Sequence, residues 1–113
     1  MTKINDVVAI QFVKGKNEED LPEINLFRNT DGKKGQAIYK FNKPTTITLE
    51  NFDSIQKMSL IDEEGEISTK KIDLSISDNK TIKVKSTYSW HSEKEFERFM
   101  RFAKRYAKVQ TNY

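Results

Sequence analysis

The chain has no cysteine, two prolines, four glycines, one histidine and one tryptophan in 113 residues. Each scarcity excludes something. Without cysteine there is no disulfide, no thiol nucleophile and no thiolate zinc site. The single histidine, His91, stands beside a helix start with no triad or ligand partner in view. Gly32 and Gly35 lack the following lysine and helix of a phosphate-cradling loop. No apolar run approaches the ~20 residues of a membrane-spanning helix. Met1-Thr2-Lys3-Ile4-Asn5 carries neither a signal-peptide core nor an arginine-rich transit segment. The expectation is a non-enzyme that works in the compartment where it is made. Seventeen acids without another catalytic group define no acid–base pair.

What is present is charge and pattern. Charged residues are 33% and apolar ones 35%, so a core has to come from spacing rather than abundance. The length fits one domain over residues 1–113, with residues 1–6 as a flexible lead. Residues 92–108 read as a C-terminal helix and 109–113 as a tail. Phe96, Phe99, Met100, Ala103 and Ala107 recur at helical steps, and Phe102 and Tyr106 widen that stripe. Ser92 with Glu95 forms a capping box. Lys94, Arg98, Arg101, Lys104, Arg105 and Lys108 lie off the stripe. From Trp90 onward there are six Lys/Arg against three Asp/Glu, and the rest of the chain has fourteen of each. The net charge of +3 therefore sits in the helix.

Upstream, the pattern is that of strands. Val7 to Val13 reads as a strand buried on both faces, followed by a polar loop from Lys14 to Asp20. Ile24 to Arg28 and Gln36 to Phe41 flank a loop with an Asp-Gly pair, which marks a hairpin. Thr45 to Leu49 has the composition of a short strand and Glu50 to Ser54 of a turn. Met58, Leu60 and Ile61 begin another strand, and Asp62-Glu63-Glu64-Gly65 is a tight turn with Gly65 free to take positive φ. Glu66 to Ile76 reads as one returning strand. Ile67 is out of register with Ile72, Leu74 and Ile76, which predicts a bulge near Thr69-Lys70. Ser77-Asp78-Asn79-Lys80 is a turn. In Thr81 to Ser89, Ile82, Val84, Ser86 and Tyr88 share one face, continued by Trp90, while Lys83 and Lys85 share a wet face.

Asp62, Glu63, Glu64 and Glu66 lack the alternate spacing of a calcium loop, and their plain reading is a hairpin turn with solvated acids. Arg98, Arg101 and Arg105 form one row, whose plain reading is a solvated face with Glu97 pairing Arg101. Aromatics beside basics are also the composition of a nucleic-acid surface, which makes a small basic nucleic-acid-binding module the alternative function.

Three segments together resemble one family. They are Ile10-Gln11-Phe12-Val13-Lys14-Gly15 with Asn17-Glu18-Glu19, Leu60 to Ile67 around the acidic turn, and Glu95 to Phe102 with Arg105-Tyr106-Ala107. Arg28, Asp31-Gly32 and Gly35 fall between them in order. The chain resembles the Psb28 family of photosystem II assembly proteins of cyanobacteria and plastids. Glu95-Phe96-Glu97, Lys57, Ser59 and Lys80 depart from the family pattern and point to a divergent or second-type paralogue.

The resemblance implies a peripheral protein without cofactor or bound metal, on the cytoplasmic or stromal side of the thylakoid membrane. It implies transient association with core antenna and reaction-centre subunits of immature photosystem II near the quinone side, and no nucleic-acid partner. The fold expected is α+β, a mainly antiparallel sheet with the C-terminal helix packed across it, acting as a monomer. An exposed sheet edge pairing with an extended segment of the partner would supply the contact. Lys83 and Lys85 are the first candidates for partner-binding charge, and Arg98, Arg101 and Arg105 the second.

Overall fold

Alternating apolar residues organise most of the chain into eight strands, and the helical stripe closes it. The computed structural model describes residues 8–31 and 33–111. Residues 1–6, Val7's place in the first strand, Gly32 and the last two residues of the expected tail lie outside them. The elements are β1 (Ala9–Val13), β2 (Lys16–Asn17), β3 (Glu23–Arg28), β4 (Gly35–Phe41), β5 (Met58–Asp62), β6 (Gly65–Thr69), β7 (Ile72–Ile76), β8 (Ile82–Trp90) and α1 (Glu93–Thr111). A short 3₁₀ turn, Phe52–Ser54, lies between β4 and β5.

The strands form two four-stranded antiparallel sheets, ordered β2-β1-β5-β6 and β3-β4-β8-β7. Pairs of consecutive strands alternate between the sheets. Both sheets and α1 feed one core: Ile10, Phe12, Met58 and Leu60 from the first, Ala37, Tyr39, Phe41, Val84 and Trp90 from the second, Phe99, Phe102 and Tyr106 from the helix. The helix packs on β5 and β8 and so touches both sheets. The α+β expectation holds, with its sheet divided in two.

The division corrects one expected strand. Residues 66–76 leave the first sheet after Thr69 and enter the second at Ile72. The parity break between Ile67 and Ile72 marks this change of sheet, not a bulge. Both isoleucines pack against the core, each from its own sheet. Thr69 pins the corner: its hydroxyl donates to the Thr87 carbonyl at 2.7 Å and accepts the Lys71 amide at 3.1 Å. Further departures are smaller. Residues 45–49 form no strand, and the polar loop after β1 contains β2, with a register irregularity between Gln11 and Val13. The helix also runs on to Thr111, through residues expected to be tail.

Several local expectations hold. Gly65 follows the acidic turn at φ 120°. Lys80 takes φ 64° in the β7–β8 turn, a conformation that costs a side-chain-bearing residue more than glycine. The capping box forms with one shift: Ser92 Oγ accepts the Glu95 amide at 3.1 Å, and the Glu95 carboxylate accepts the amide of His91 at 2.8 Å, one residue before the cap. Gly35 opens β4 rather than belonging to the loop. A Cβ there would collide with the Phe27 carbonyl and lie 2.6 Å from Trp90 Cζ2.

The core of the helix contact is narrower than the stripe read from sequence. Phe99 sits among three rings, with centroids 5.2 Å from Trp90, 5.5 Å from Tyr88 and 6.4 Å from Tyr39. Phe102 and Tyr106 are buried beside it, Phe96, Met100 and Ala103 are half-buried, and Ala107 is exposed. Truncating Phe99 therefore removes the centre of the aromatic cluster. Phe99→Ala is expected to cost about 3–5 kcal/mol and lower the melting temperature by at least ~10 °C, whereas Ala107→Ser should stay within ~0.5 kcal/mol of wild type. Equal melting of wild type and Phe99→Ala would contradict this packing.

Candidate functional site

Helical spacing puts Arg98, Arg101 and Arg105 in one row, and that row faces the β5–β6 turn. Asp62, the last residue of β5, has a fully buried side chain. Arg98 forks onto it, Nη1 donating to Oδ2 at 2.9 Å and Nη2 to Oδ1 at 2.8 Å. Arg105 Nη1 donates to Asp62 Oδ2 at 2.9 Å and to Glu64 Oε2 at 2.6 Å. Arg101 forks onto Glu64 at 2.7 and 2.9 Å instead of pairing with Glu97. Two acids at alternate positions across a turn thus meet three arginines spaced for one helix face. Paired forks fix orientation as well as charge.

The acids of this turn are not a solvated cluster, which corrects the plain reading of the sequence. Burial pushes the Asp62 carboxyl up, but hydrogen bonds from Arg98, Arg105 and the Glu64 amide outweigh it and the net shift is down. Hydrogen bonds from Arg101 and Arg105 hold Glu64 down at about 2, from an ordinary 4.5. Glu66 turns the other way, to Ser59 Oγ at 2.7 Å and Lys57 Nζ at 3.3 Å. Glu63 stays half-exposed, 3.6 Å from Arg105. Among the described residues, no group of three or more His, Cys, Asp or Glu is placed to hold a metal ion. His91 is exposed.

A second carboxylate was not singled out by sequence. Glu18 follows β2 and is buried. Its Oε2 accepts the Thr45 amide at 2.6 Å, the Thr45 hydroxyl at 2.8 Å and the Asp20 amide at 2.9 Å. Its Oε1 accepts the Thr46 amide at 3.1 Å and hydroxyl at 2.7 Å. Burial raises its carboxyl and these donors lower it further, for a net downward shift. One side chain thereby ties the loop after β2 to the loop after β4, where no strand forms. Little local marks Glu18 among its acidic neighbours, because its partners beyond the Asp20 amide lie 27 and 28 residues on. Tyr106 is buried, and burial, then the charges of Glu18 and Asp20, push its hydroxyl up to about 12.

The structure separates the five candidate contact residues into two groups. Lys83 and Lys85 project from the outer face of β8 and are exposed, as the alternation requires. Arg98 and Arg105 are mostly covered, at 17% and 28% side-chain exposure, and Arg101 is half-exposed at 48%. The outer edge of β3, one of the two end strands of its sheet, carries exposed apolar side chains: Leu26 is 47% and Phe27 53% exposed, and Leu21 just ahead of the strand is exposed too.

These features define a class: a small two-sheet α+β protein, its helix latched by arginine–carboxylate forks, presenting an apolar strand edge and a lysine-bearing sheet face. The chain belongs to the Psb28 family, since the family described as Psb28 protein matches residues 10–112. It is 72% identical over 107 residues to the photosystem II reaction center Psb28 protein of Prochlorococcus marinus (strain NATL2A), covering 95% of each chain. It is 45% identical over 107 residues to the protein of that name from Prochlorococcus marinus (strain MIT 9211), covering 95% of this chain and 90% of the relative. Against the one from Synechococcus sp. (strain CC9605) the identity is 44% over 99 residues, 88% of this chain and 78% of the relative.

Carboxylates with lowered folded-state values stabilise the protein above their ordinary values and lose that contribution as pH falls through the folded ones. For Glu64 the window runs from 4.5 down to about 2, and Asp62 and Glu18 shift in the same direction. Thermal stability is expected to fall steadily across that window. Asp62→Asn leaves two arginines without their buried counter-charge and is expected to cost on the order of 3 kcal/mol at neutral pH, and to make the acid decline shallower. A melting temperature flat from pH 4.5 to 2 in the wild type would contradict the latch.

Proposed function

We propose that the protein is a non-catalytic photosystem II assembly or repair factor. It binds transiently, as a peripheral monomer, to an immature photosystem II complex on the cytoplasmic or stromal face of the thylakoid membrane. The observation that carries this reading is family membership over nearly the whole chain, with relatives named for the photosystem II reaction center. No helix of the described residues is long and apolar enough to cross a membrane, which is compatible with peripheral attachment.

The physical means we propose is strand addition at β3. An edge strand offers unpaired main-chain groups, and natural proteins usually guard such edges with charge, proline or a bulge. Here β3 pairs with β4 without interruption from Glu23 to Arg28. Its side chains Ile24, Leu26 and Phe27 are exposed. Main-chain bonds to an extended partner segment supply affinity, and pockets for alternate side chains supply specificity. Core antenna and reaction-centre subunits are the partners in this reading.

Charge sets approach and orientation. Lys83 and Lys85 supply it. Arg98 and Arg105 act indirectly by fixing α1, while the half-exposed Arg101 also reaches the surface. The nucleic-acid alternative loses its main support, since the arginine row is already answered by Asp62 and Glu64.

The test is capture of photosystem II subunits from solubilised thylakoids of cells stalled in assembly, with melting curves for every variant. Lys83→Glu/Lys85→Glu is expected to reduce recovery about tenfold and wild-type recovery to fall as salt rises. Phe27→Lys and Leu26→Pro are expected to reduce it as much or more, through the edge, and Phe27→Lys should melt near wild type. Equal recovery by all variants would remove the proposed contact surfaces. No recovery of any photosystem subunit by the wild type would remove the functional reading itself.

A further inference from the structure

The cations of this protein are treated unequally. Arg98, Arg101 and Arg105 each meet a carboxylate within 3 Å. On the outer face of the second sheet, Lys40 of β4 stands directly opposite Lys85 of β8, and Lys83 lies two residues from Lys85 on the same face. All three are exposed. Among the described residues none has a carboxylate within the 4.0 Å of an ion pair. Yet Glu23 faces Lys40 across β3 and Asp73 faces Lys85 across β7. Like charges directly opposite in an antiparallel pair are destabilising. The three lysines border a depression of about 280 Å³ that Asn42, Ser75 and Asp73 also line.

We infer that this face is a docking site for an extended acidic segment of a protein partner, with carboxylates at alternate positions seated on Lys40, Lys83 and Lys85. The inference rests on the reading of Lys83 and Lys85 as partner contacts, and names the chemistry they meet. Alternate residues of a strand repeat at roughly 6.8 Å and neighbouring strands lie ~4.8 Å apart. Carboxylates at alternate positions of an extended segment share the first repeat, so a segment lying along the β4–β8 boundary matches Lys83 and Lys85. Lys40 is then one strand away.

Shape of the charge selects the occupant. Across the sheet the row reads Glu23, Lys40, Lys85, Asp73. The positive strip is two strands wide with an acid on either side. A plane of anionic lipid headgroups would press like charge against Glu23 and Asp73. A single chain laid along the strip does not. Lys40, Lys83 and Lys85 sit on the two central strands, so this contact is separate from strand addition at β3.

The experiment is an NMR titration of the full chain with a short synthetic peptide alternating glutamate and serine, capped at both ends. A glutamine–serine peptide and phosphatidylglycerol vesicles are the comparison arms. The expected result is saturable amide shifts centred on Lys40, Lys83, Lys85, Asn42 and Ser75 with the acidic peptide. Lys40→Gln/Lys85→Gln should weaken binding about tenfold, and added salt should weaken it in the wild type. That variant should melt no lower than wild type, because it removes an opposed like-charge pair. Equal shifts at Lys14, Lys57 and Lys94, or an equal response to the glutamine–serine peptide, would overturn the inference. So would vesicle binding that depends on these lysines without any peptide response. Failure here with lysine-dependent capture of photosystem II intact would remove this segment chemistry alone.

Discussion

One buried carboxylate decides how the helix sits. Asp62 takes hydrogen bonds from Arg98 and Arg105, seven residues apart on the same helix face. A buried ion pair is weak as net stabilisation, because desolvation opposes the Coulomb gain. Most of the holding energy comes instead from Phe99, Phe102 and Tyr106, buried against both sheets. What the carboxylate adds is orientation. A rotation of α1 by one residue would carry an arginine toward the aromatic core and leave Asp62 buried without its arginine partners. The aromatic and ionic contacts therefore admit the same single placement, and the sheets are spanned by a helix that touches both.

How much of this could be read from the sequence follows from the range of the interactions. Alternation over residues 81–89, the Ser92–Glu95 cap and Gly65 in the acidic turn are local patterns, and all three appear where the residues place them. The change of sheet at Lys70–Lys71 left a local trace, the parity break after Ile67, but a parity break has two structural solutions. The choice of a second sheet over a bulge is made by Thr87, eighteen residues from Thr69. Glu18 and Asp62 were illegible as structural centres because the side chains and loops they tie together lie 27 to 43 residues away. An acid beside a turn looks the same in sequence whether it faces water or an arginine.

The latch also relocates the protein's usable charge. By sequence, the excess of +3 sits after Trp90. In the fold, the three arginines of that segment are answered by acids from the β5–β6 turn. The lysine-bearing face of the second sheet is left open, and β3, at one end of that sheet, carries exposed apolar side chains. Edge and face belong to one sheet, so a partner can meet main-chain groups and charge together. Membership in the Psb28 family gives that surface its proposed setting on an immature photosystem.

The central claim is that the second sheet, not the basic helix, meets the photosystem. Hydrogen–deuterium exchange of the full chain, free and in complex with a purified photosystem II assembly intermediate, addresses it directly. The expected result is slowed exchange in residues 23–28, with smaller protection in 36–41 and 83–88 and no change along 95–108. Protection concentrated on 95–108, with residues 23–28 exchanging as in the free protein, would contradict it.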